Sequence, residues 1–186
     1  MQLQSNSIDN LILDLRDNQG GAAIHMLSYL LNDSFQYFTE IKSVAGKTDT
    51  SQILKNNKGK LSRTHKTQKV PFKGKLIVLI NGGSFSNTSS FCSRIEFYKR
   101  GIFIGSETGG NKVVFSGEFG LKSNTILPNT KIICENSNYQ ITVTDINLNQ
   151  GHGVLPTYSI FPSINDYIQN KDVVLSKAFE FVKDNQ

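Results

Sequence analysis

Residues 80–91 combine small residues and hydroxyl side chains in a pattern that could present a nucleophilic serine. They read Ile-Asn-Gly-Gly-Ser-Phe-Ser-Asn-Thr-Ser-Ser-Phe and directly follow the apolar run 76–80. The glycines predict a turn, and the residues after it predict a helix, whose first backbone N–H groups are free to hold negative charge. A serine in that setting could attack a carbonyl group, although serines and glycines alone would prove nothing.

Two more glycine-bearing turns follow apolar runs elsewhere in the chain. Residues 17–21, Asp-Asn-Gln-Gly-Gly, follow the run 11–15, and residues 105–110, Gly-Ser-Glu-Thr-Gly-Gly, follow the run 102–104. In a parallel sheet the carboxyl ends of the strands share one edge, so the three turns converge if the three strands are parallel. Glycine lets backbone N–H groups approach a substrate closely, as an oxyanion hole requires.

The elements that must position these turns predict an α/β fold with parallel pairing in its first half. Buried strands are predicted at 11–15, 75–80 and 102–104, and a weaker strand at 35–44. Helices are predicted at 21–31 and 86–99 and after Asp172, which is expected to cap the last helix. Residues 113–146 are β-rich, with runs at 113–115, 125–127, 132–134 and 141–143.

Length and composition predict one soluble globular domain spanning residues 1–186. The chain is 38% hydrophobic with a net charge of +5, and half of its 20 basic residues lie between positions 42 and 75. Residues 45–74 are therefore predicted to be a basic loop or insert, either solvated or facing an anion. No aromatic residues interleave with these charges before Phe72, so we expect no nucleic-acid binding.

The sequence predicts no cofactor, metal or membrane span. Cys92 and Cys134 are expected to be free thiols, and three scattered histidines make a zinc site improbable. No apolar run approaches 18 residues, and residues 1–10 lack the apolar core of a signal peptide. The phosphate-binding loop, the dinucleotide-binding glycine pattern and the Gly-x-Ser-x-Gly elbow are all absent.

Four ordered segments and a closing helix resemble the tail-specific (carboxyl-terminal processing) serine proteases, whose relatives include tricorn protease, in peptidase clan SK, family 41. The segments are 11–21, 76–91, 102–110 and Gly-His-Gly-Val-Leu-Pro at 151–156. The resemblance implies a Clp-protease/crotonase-like spiral of strand-strand-helix units and a serine endopeptidase working through an acyl-enzyme. It also implies a peptide or protein substrate and a periplasmic or extracellular location. The chain would be a catalytic domain or subdomain without its N-terminal portion.

Carried over by position, the resemblance makes Ser86 the nucleophile and the N–H groups of Gly21 and Asn87 the oxyanion hole. The alternative for Ser86 is a helix cap, because serine is common there. The neighbouring hydroxyl residues are expected to serve as caps and packing: Ser84, Thr88, Ser89 and Ser90.

The general base is where the chain departs from the family. The processing proteases use a lysine at the position of Asn111, so Lys112 is only a possible base, with a surface lysine as the alternative. The tricorn-like enzymes use a histidine upstream of the first strand, and His25, His65 and His152 match no catalytic position. Asp145 lies where those enzymes place a supporting acid.

Two other functions remain open. A member of the family without a working base could be a peptide or small-molecule binding module. A crotonase-like acyl-CoA enzyme shares the fold and the paired amides, although no adenine-pocket signature is present.

Overall fold

The centre of the molecule is a sheet of four parallel strands. The computed structural model describes residues 8–21, 24–37, 40–43, 64–115, 122–137, 139–142 and 151–183. The strands are β1 (Asn10–Asp14), β5 (Lys75–Ile80), β6 (Ile102–Gly105) and β11 (Tyr158–Ser159), in the order β1-β5-β6-β11. Each neighbouring pair is parallel. The α/β fold and the three strands predicted from the sequence are confirmed. The predicted burial of the first strand is wrong, because β1 lies at the edge of this sheet among the described strands and is only partly buried.

Strand β5 separates two hydrophobic cores because successive side chains of a strand point to opposite faces. Leu76, Val78 and Ile80 pack into the core that contains α1 (Ile24–Leu30) and α2 (Asn87–Phe97). Ile77 and Leu79 pack on the other face, against the helix Val173–Lys183, called α4 below. Helices on both faces explain why β5 is apolar along its length rather than alternating.

The remaining described strands are short and antiparallel. The strands β3 (Glu40–Ser43), β10 (Tyr139–Thr142) and β7 (Val113–Phe115) form one sheet in that order. The pairs β2 (Phe35–Gln36) with β4 (Thr64–His65), and β8 (Lys122–Ile126) with β9 (Ile133–Ser137), form two more. The β-rich prediction for 113–146 is confirmed where the structure describes it (113–115, 122–137 and 139–142), with the observed strands shifted by a few residues, and residues 143–146 lie outside the described part. The single strand predicted at 35–44 is wrong, because β2 and β3 lie there and pair in different sheets.

Two helices close the chain. Asp172 caps α4 as predicted, since its Oδ1 accepts a hydrogen bond from Leu175 N at 2.9 Å. The shorter helix α3 (Ile164–Ile168) was not predicted; Ser163 and Asp166 form a reciprocal capping box at its start. None of the helices within the described ranges is long and apolar enough to cross a bilayer.

The basic segment is described only in part, and both cysteines are described. Residues 44–63 lie outside the described part of the chain, whereas 64–74 contain β4 and lead into β5. The single-domain boundary and the basic insert stay predictions. Cys92 and Cys134 are free thiols, as expected. Cys92 is buried, and that burial raises the pKa of its thiol.

Candidate active site

Three glycine-bearing turns follow β1, β5 and β6, and they are called the first (residues 17–21), second (residues 81–85) and third (residues 105–110) turns below. Hydrogen bonds join the first and second turns at the carboxyl edge of the sheet. Phe85 N donates to the carbonyl oxygen of Asn18 at 3.0 Å. The hydroxyl of Thr88, in the first turn of α2, donates to Asn18 Oδ1 at 2.8 Å. Asp17 and Asn81 add a reciprocal pair, in which Asp17 N donates to Asn81 Oδ1 and Asn81 Nδ2 donates to Asp17 Oδ1. The predicted convergence of these turns follows from the parallel pairing of β1 with β5.

The third turn packs against the same segment from the other side. Gly109 N donates to Ser84 O at 3.1 Å, and Gly110 N donates to Ser89 Oγ at 3.1 Å. A Cβ atom on Gly110 would lie 3.0 Å from Ser86 N and closer still to the side chain of Ser89. The third turn therefore lies so close to Ser86 and Ser89 that only glycine fits at position 110.

Ser86 stands at the N-terminus of α2 in a conformation that serine rarely adopts. Its φ is 56° and its ψ is −128°, and its side chain makes no capping hydrogen bond to the helix. Such backbone conformations cost of order 1–3 kcal/mol and persist only where the surroundings enforce them. Ser86 is also exposed.

The hydroxyl residues around Ser86 are buried, in line with the packing roles predicted for them. Ser84 Oγ donates to Leu15 O at 2.7 Å and accepts from Asn81 N at 3.1 Å. Ser89 Oγ donates to Ser84 O at 2.8 Å. Ser86 differs from these serines in both its exposure and its backbone.

Gly20, Gly21 and Asn87 lie beside Ser86. Gly20 and Gly21 have φ values of 118° and 130°, a region that L side chains rarely adopt. A Cβ on Gly20 would be 3.2 Å from both Asn87 N and Ser86 Cβ. The side chain of Asn87 also reaches the turn, donating from Nδ2 to Gly21 O at 2.9 Å. The structure thus places Gly20 against Ser86 and links Gly21 to Asn87, while the roles of Ser86, Gly21 and Asn87 as nucleophile and oxyanion donors stay predictions.

The contacts made by Gly20, Gly110 and Asn18 were not singled out from the sequence. The signal for the two glycines was their place in glycine pairs, which does not say which neighbour approaches. Asn18 gave no signal beyond its place in a turn.

The side chain of Lys112 forms an ion pair with Glu96. Its Nζ lies 2.6 Å from Glu96 Oε2, and its side chain is only 12% exposed. Glu96 stands near the C-terminal end of α2, about 15 Å along the helix from Ser86 at a rise of 1.5 Å per residue. The ammonium group is therefore engaged by a carboxylate on a later turn of the helix that Ser86 begins.

The Gly-His-Gly-Val segment is fastened to the third turn. Glu107 Oε1 accepts from Gly153 N at 2.8 Å and lies 3.2 Å from His152 Nδ1. Thr108 N donates to Val154 O at 3.1 Å, and Val154 N donates to Thr108 Oγ1 at 2.8 Å. The fourth motif therefore supports the turn that packs on Ser86.

The structure describes the other two histidines, His25 and His65. His25 is exposed on α1, and the ring of His65 stacks on Phe35 with centroids 5.4 Å apart. Asp145 lies outside the described residues. Among the residues that are described, no group of three or more His, Cys, Asp or Glu side chains is arranged to hold a metal ion.

The charged residues at the end of β1 form two ion pairs with Arg16 at their centre. Arg16 Nη2 lies 2.6 Å from Asp14 Oδ2 and 2.7 Å from Asp172 Oδ2. Hydrogen bonds from the Arg16 guanidinium lower the pKa of both carboxyl groups. The arrangement ties the first turn to the cap of α4.

Comparison with known proteins gives a consistent result. A family model described as peptidase family S41 matches residues 1–160. The tail-specific protease of Haemophilus influenzae is 30% identical over 118 residues, which cover 61% of this chain and 15% of that protein.

Among solved structures, the photosystem II D1 C-terminal processing protease has a TM-score of 0.56 at 20% identity, covering 88% of this chain and 37% of that one. Mature CPAF has a TM-score of 0.65 at 17% identity, covering 98% and 44%. These likenesses show the fold alone, and they confirm the α/β spiral that the resemblance implied. The chain spans less than half the length of each of these three proteins.

Proposed function

The chain belongs to peptidase family S41, and we propose that it carries the nucleophile and oxyanion hole of a serine endopeptidase. Ser86 Oγ attacks the carbonyl carbon of a peptide bond, and its proton passes to a base. The N–H groups of Gly21 and Asn87 hold the oxyanion that forms. The C–N bond then breaks, and the amine leaves with the proton. Water hydrolyses the resulting ester and restores Ser86.

The observation that carries the proposal is the conformation of Ser86. Its φ of 56° and the lack of a capping bond argue against the helix-cap alternative, because a capping serine has extended backbone and bonds to the helix. A strained serine on a sharp turn between a strand and a helix is how an exposed nucleophile is presented in other hydrolases. The backbones of Gly20 and Gly110 lie so close to Ser86 that a Cβ on Gly20 would be 3.2 Å from Ser86 Cβ and a Cβ on Gly110 would be 3.0 Å from Ser86 N.

The proposed oxyanion hole has support from its surroundings. Asn87 is the first residue of α2, so its N–H has no acceptor within the helix. Gly21 lies in the adjoining turn and is tethered to Asn87 by a 2.9 Å hydrogen bond. Loss of one such donor costs on the order of 10²–10³ in rate.

Lys112 is the possible base named from the sequence. A lysine acts as a base only as a neutral amine within hydrogen-bond reach of the proton that it takes. The pairing with Glu96 supports the alternative, a structural lysine. The rival function, an inactive family member that binds peptides or small molecules, would follow if no base were supplied.

Labelling with a fluorophosphonate tests the nucleophile in the full-length protein. We expect stoichiometric labelling at Ser86, lost in Ser86→Ala. Ser176→Ala is a matched control, because Ser176 lies on α4 and its Oγ bonds to Asp172 O at 2.7 Å. Failure of the folded wild-type protein to label would favour the binding module. Retention on immobilised coenzyme A would instead favour the acyl-CoA enzyme.

The location and partners are part of the same proposal. The resemblance to tail-specific proteases supports a periplasmic or extracellular enzyme that acts on peptides or proteins. Cell fractionation with an antibody against the chain tests the location, and recovery in the cytoplasm alone would contradict it. The expected lack of nucleic-acid binding stays a prediction.

A further inference from the structure

The short helix α3 presents an apolar face to the solvent. The four most exposed large apolar side chains among the described residues all lie on α3 or just before it, with exposed fractions of 70–79%: Phe161, Ile164, Tyr167 and Ile168. Ile164, Tyr167 and Ile168 are three and four positions apart and therefore share one side of the helix. Single exposed apolar residues are ordinary on a protein surface, whereas a contiguous group of them marks an interaction surface.

This face borders a groove between α3, α4 and the carboxyl edge of the sheet. Phe161 and Tyr167 belong to the face and also line the groove, whose volume is about 650 Å³. Ligand-binding clefts have volumes of roughly 300–1,000 Å³, so the groove has room for several side chains. Buried and partly buried apolar residues also line it: Ile80, Ile160, Pro162 and Val174. The groove and the apolar face of α3 together are called the α3 surface below.

The charged side chains of the groove are mainly acidic. Two cations, Arg16 and Lys171, line it together with four carboxylates: Asp14, Asp17, Asp166 and Asp172. The guanidinium of Arg16 already makes four hydrogen bonds to Asp14 and Asp172, so it offers little charge to an anionic guest. Among the described side chains, only Asn81 bonds to the carboxylate of Asp17, through Oδ1 at 3.1 Å. The groove therefore carries an excess of negative charge, although the whole chain has a net charge of +5.

An apolar face beside an acidic groove fits a partner in which apolar side chains adjoin arginine or lysine. The cation would bond to a carboxylate of the groove and could also lie on the ring of Phe161 or Tyr167. A neutral or acidic partner would instead cover these carboxylates without pairing them, which is costly. A second copy of the chain, docked through the same surface, would bring one acidic groove against the other. Charge complementarity therefore favours a different, basic partner.

We propose that the α3 surface docks a basic, apolar segment of another protein. Ile164 and Ile168 cover the apolar side chains of that segment, and the groove receives its arginine or lysine. The inference goes beyond the proposed function and does not depend on it, because Ser86 is not among the residues that line the groove. The two sites also lie on different sides of the molecule, since α2 and α4 pack on opposite faces of the sheet.

Fluorescence anisotropy with two labelled peptides tests the proposal in the full-length protein carrying Ser86→Ala, so that neither peptide is cut. In one peptide leucine and arginine alternate, and in the other glutamate replaces each arginine. We expect the arginine peptide to bind at least about 10-fold more tightly than the glutamate peptide. Phe161→Ser and Ile164→Ser should each weaken its binding about 10-fold, the loss typical of an interface anchor.

Phe179→Ser is the matched control, because Phe179 is an exposed aromatic residue of α4 that does not line the groove. It should leave the affinity unchanged. Equal binding of the two peptides, or binding that survives both substitutions at the α3 surface, would overturn the inference. A lower oligomeric mass of the full-length protein after Phe161→Ser, measured by analytical ultracentrifugation, would assign the surface to a second copy and overturn it as well. Fluorophosphonate labelling is measured separately on the wild type, so its failure would overturn the proposed function alone.

Discussion

The side chain of Asn87 holds the backbone of Gly21: its Nδ2 donates to the Gly21 carbonyl oxygen at 2.9 Å. These are the two residues whose N–H groups are proposed to stabilise the oxyanion. Asn87, one proposed donor, therefore fixes the position of Gly21, the other, through its side-chain amide rather than through its backbone N–H. The spacing of the two amides depends on that contact as well as on the sheet beneath them.

Removal of the side-chain amide of Asn87 should weaken catalysis without preventing folding. We expect Asn87→Ala to lower kcat about 10-fold with little change in KM, because the loss falls on transition-state stabilisation. Asn87→Asp should lower kcat by about 100-fold or more, since a carboxylate would repel both Gly21 O and the oxyanion. Steady-state kinetics on a peptide substrate give both values, and Asn165→Ala on the exposed face of α3 is the control. A wild-type kcat in Asn87→Ala would show that the tether is dispensable.

The protein should be more stable with glycine at position 86 than with alanine there. Glycine adopts a φ of 56° without a steric penalty because it has no side chain, whereas the Cβ atom of alanine causes the same steric penalty as that of serine. We expect Ser86→Gly to exceed Ser86→Ala by about 1 kcal/mol in free energy of unfolding, with both unlabelled by a fluorophosphonate. Urea denaturation measures the difference.

The same pair of substitutions at Ser176 provides the matched control. Ser176 lies within α4, where glycine is less favourable than alanine by about 1 kcal/mol, so the order should reverse. Equal stabilities for the two Ser86 variants would contradict the strain assigned to this residue.

Lys112 can be tested by removing its charge. Because its ammonium pairs with Glu96 at 2.6 Å, we expect Lys112→Met to retain labelling of Ser86 within about 3-fold and to lower the unfolding free energy by about 1 kcal/mol. Glu96→Gln should destabilise the protein to a similar extent, since both variants break the same pair. Loss of labelling in folded Lys112→Met, but not in Glu96→Gln, would instead make Lys112 the base.

The ion pairs of Arg16 should give the protein an acid-dependent stability. Arg16 holds the pKa values of Asp14 and Asp172 below their ordinary value of 3.8. A lowered carboxyl pKa contributes stability that is complete above the ordinary value and is lost as the pH falls through the folded value. We expect Arg16→Gln to cost about 1–2 kcal/mol at pH 7, allowing for partial exposure of the carboxylates, and the difference to shrink below about pH 4.

Urea denaturation of the wild type and Arg16→Gln from pH 7 to pH 2.5 measures that dependence. Lys177→Gln is the control, since Lys177 forms an exposed pair with Glu180 at 2.6 Å that should contribute little. A difference between wild type and Arg16→Gln that stays constant down to pH 2.5 would contradict the assignment.

The parts of the fold that could be predicted are those marked by local sequence. β5 is apolar at every position after Lys75, and the cap of α4 follows from an aspartate before an amphipathic segment. The short strands β2 and β3 could not be separated, because their boundary depends on pairing with β4 and β10 across the chain. α3 had a Ser-x-x-Asp capping signal, but its five residues are too few to show a period.

The site was predictable in its residue types and less so in its contacts. Ser86 could be named from a resemblance, yet its positive φ opposes the preference of serine and occurs where two neighbouring turns approach it closely. The approach of Gly20 to Asn87 N depends on how two strands far apart in sequence are aligned. No spacing within either turn contains that information.

The pairing of β1 with β5 also has a consequence for the order of events during folding. Asn10 pairs with Lys75 and Asp14 with Leu79, so the strand before Gly21 must find a partner made much later. Closing so long a loop slows the formation of a contact. In a chain that has folded only from β5 onward, Ser86 is in its folded part, whereas the turn that bears Gly21 has been synthesised but has not docked. Under the proposed mechanism such an intermediate cannot cleave its neighbours, and proteolytic activity appears only when the first strand docks.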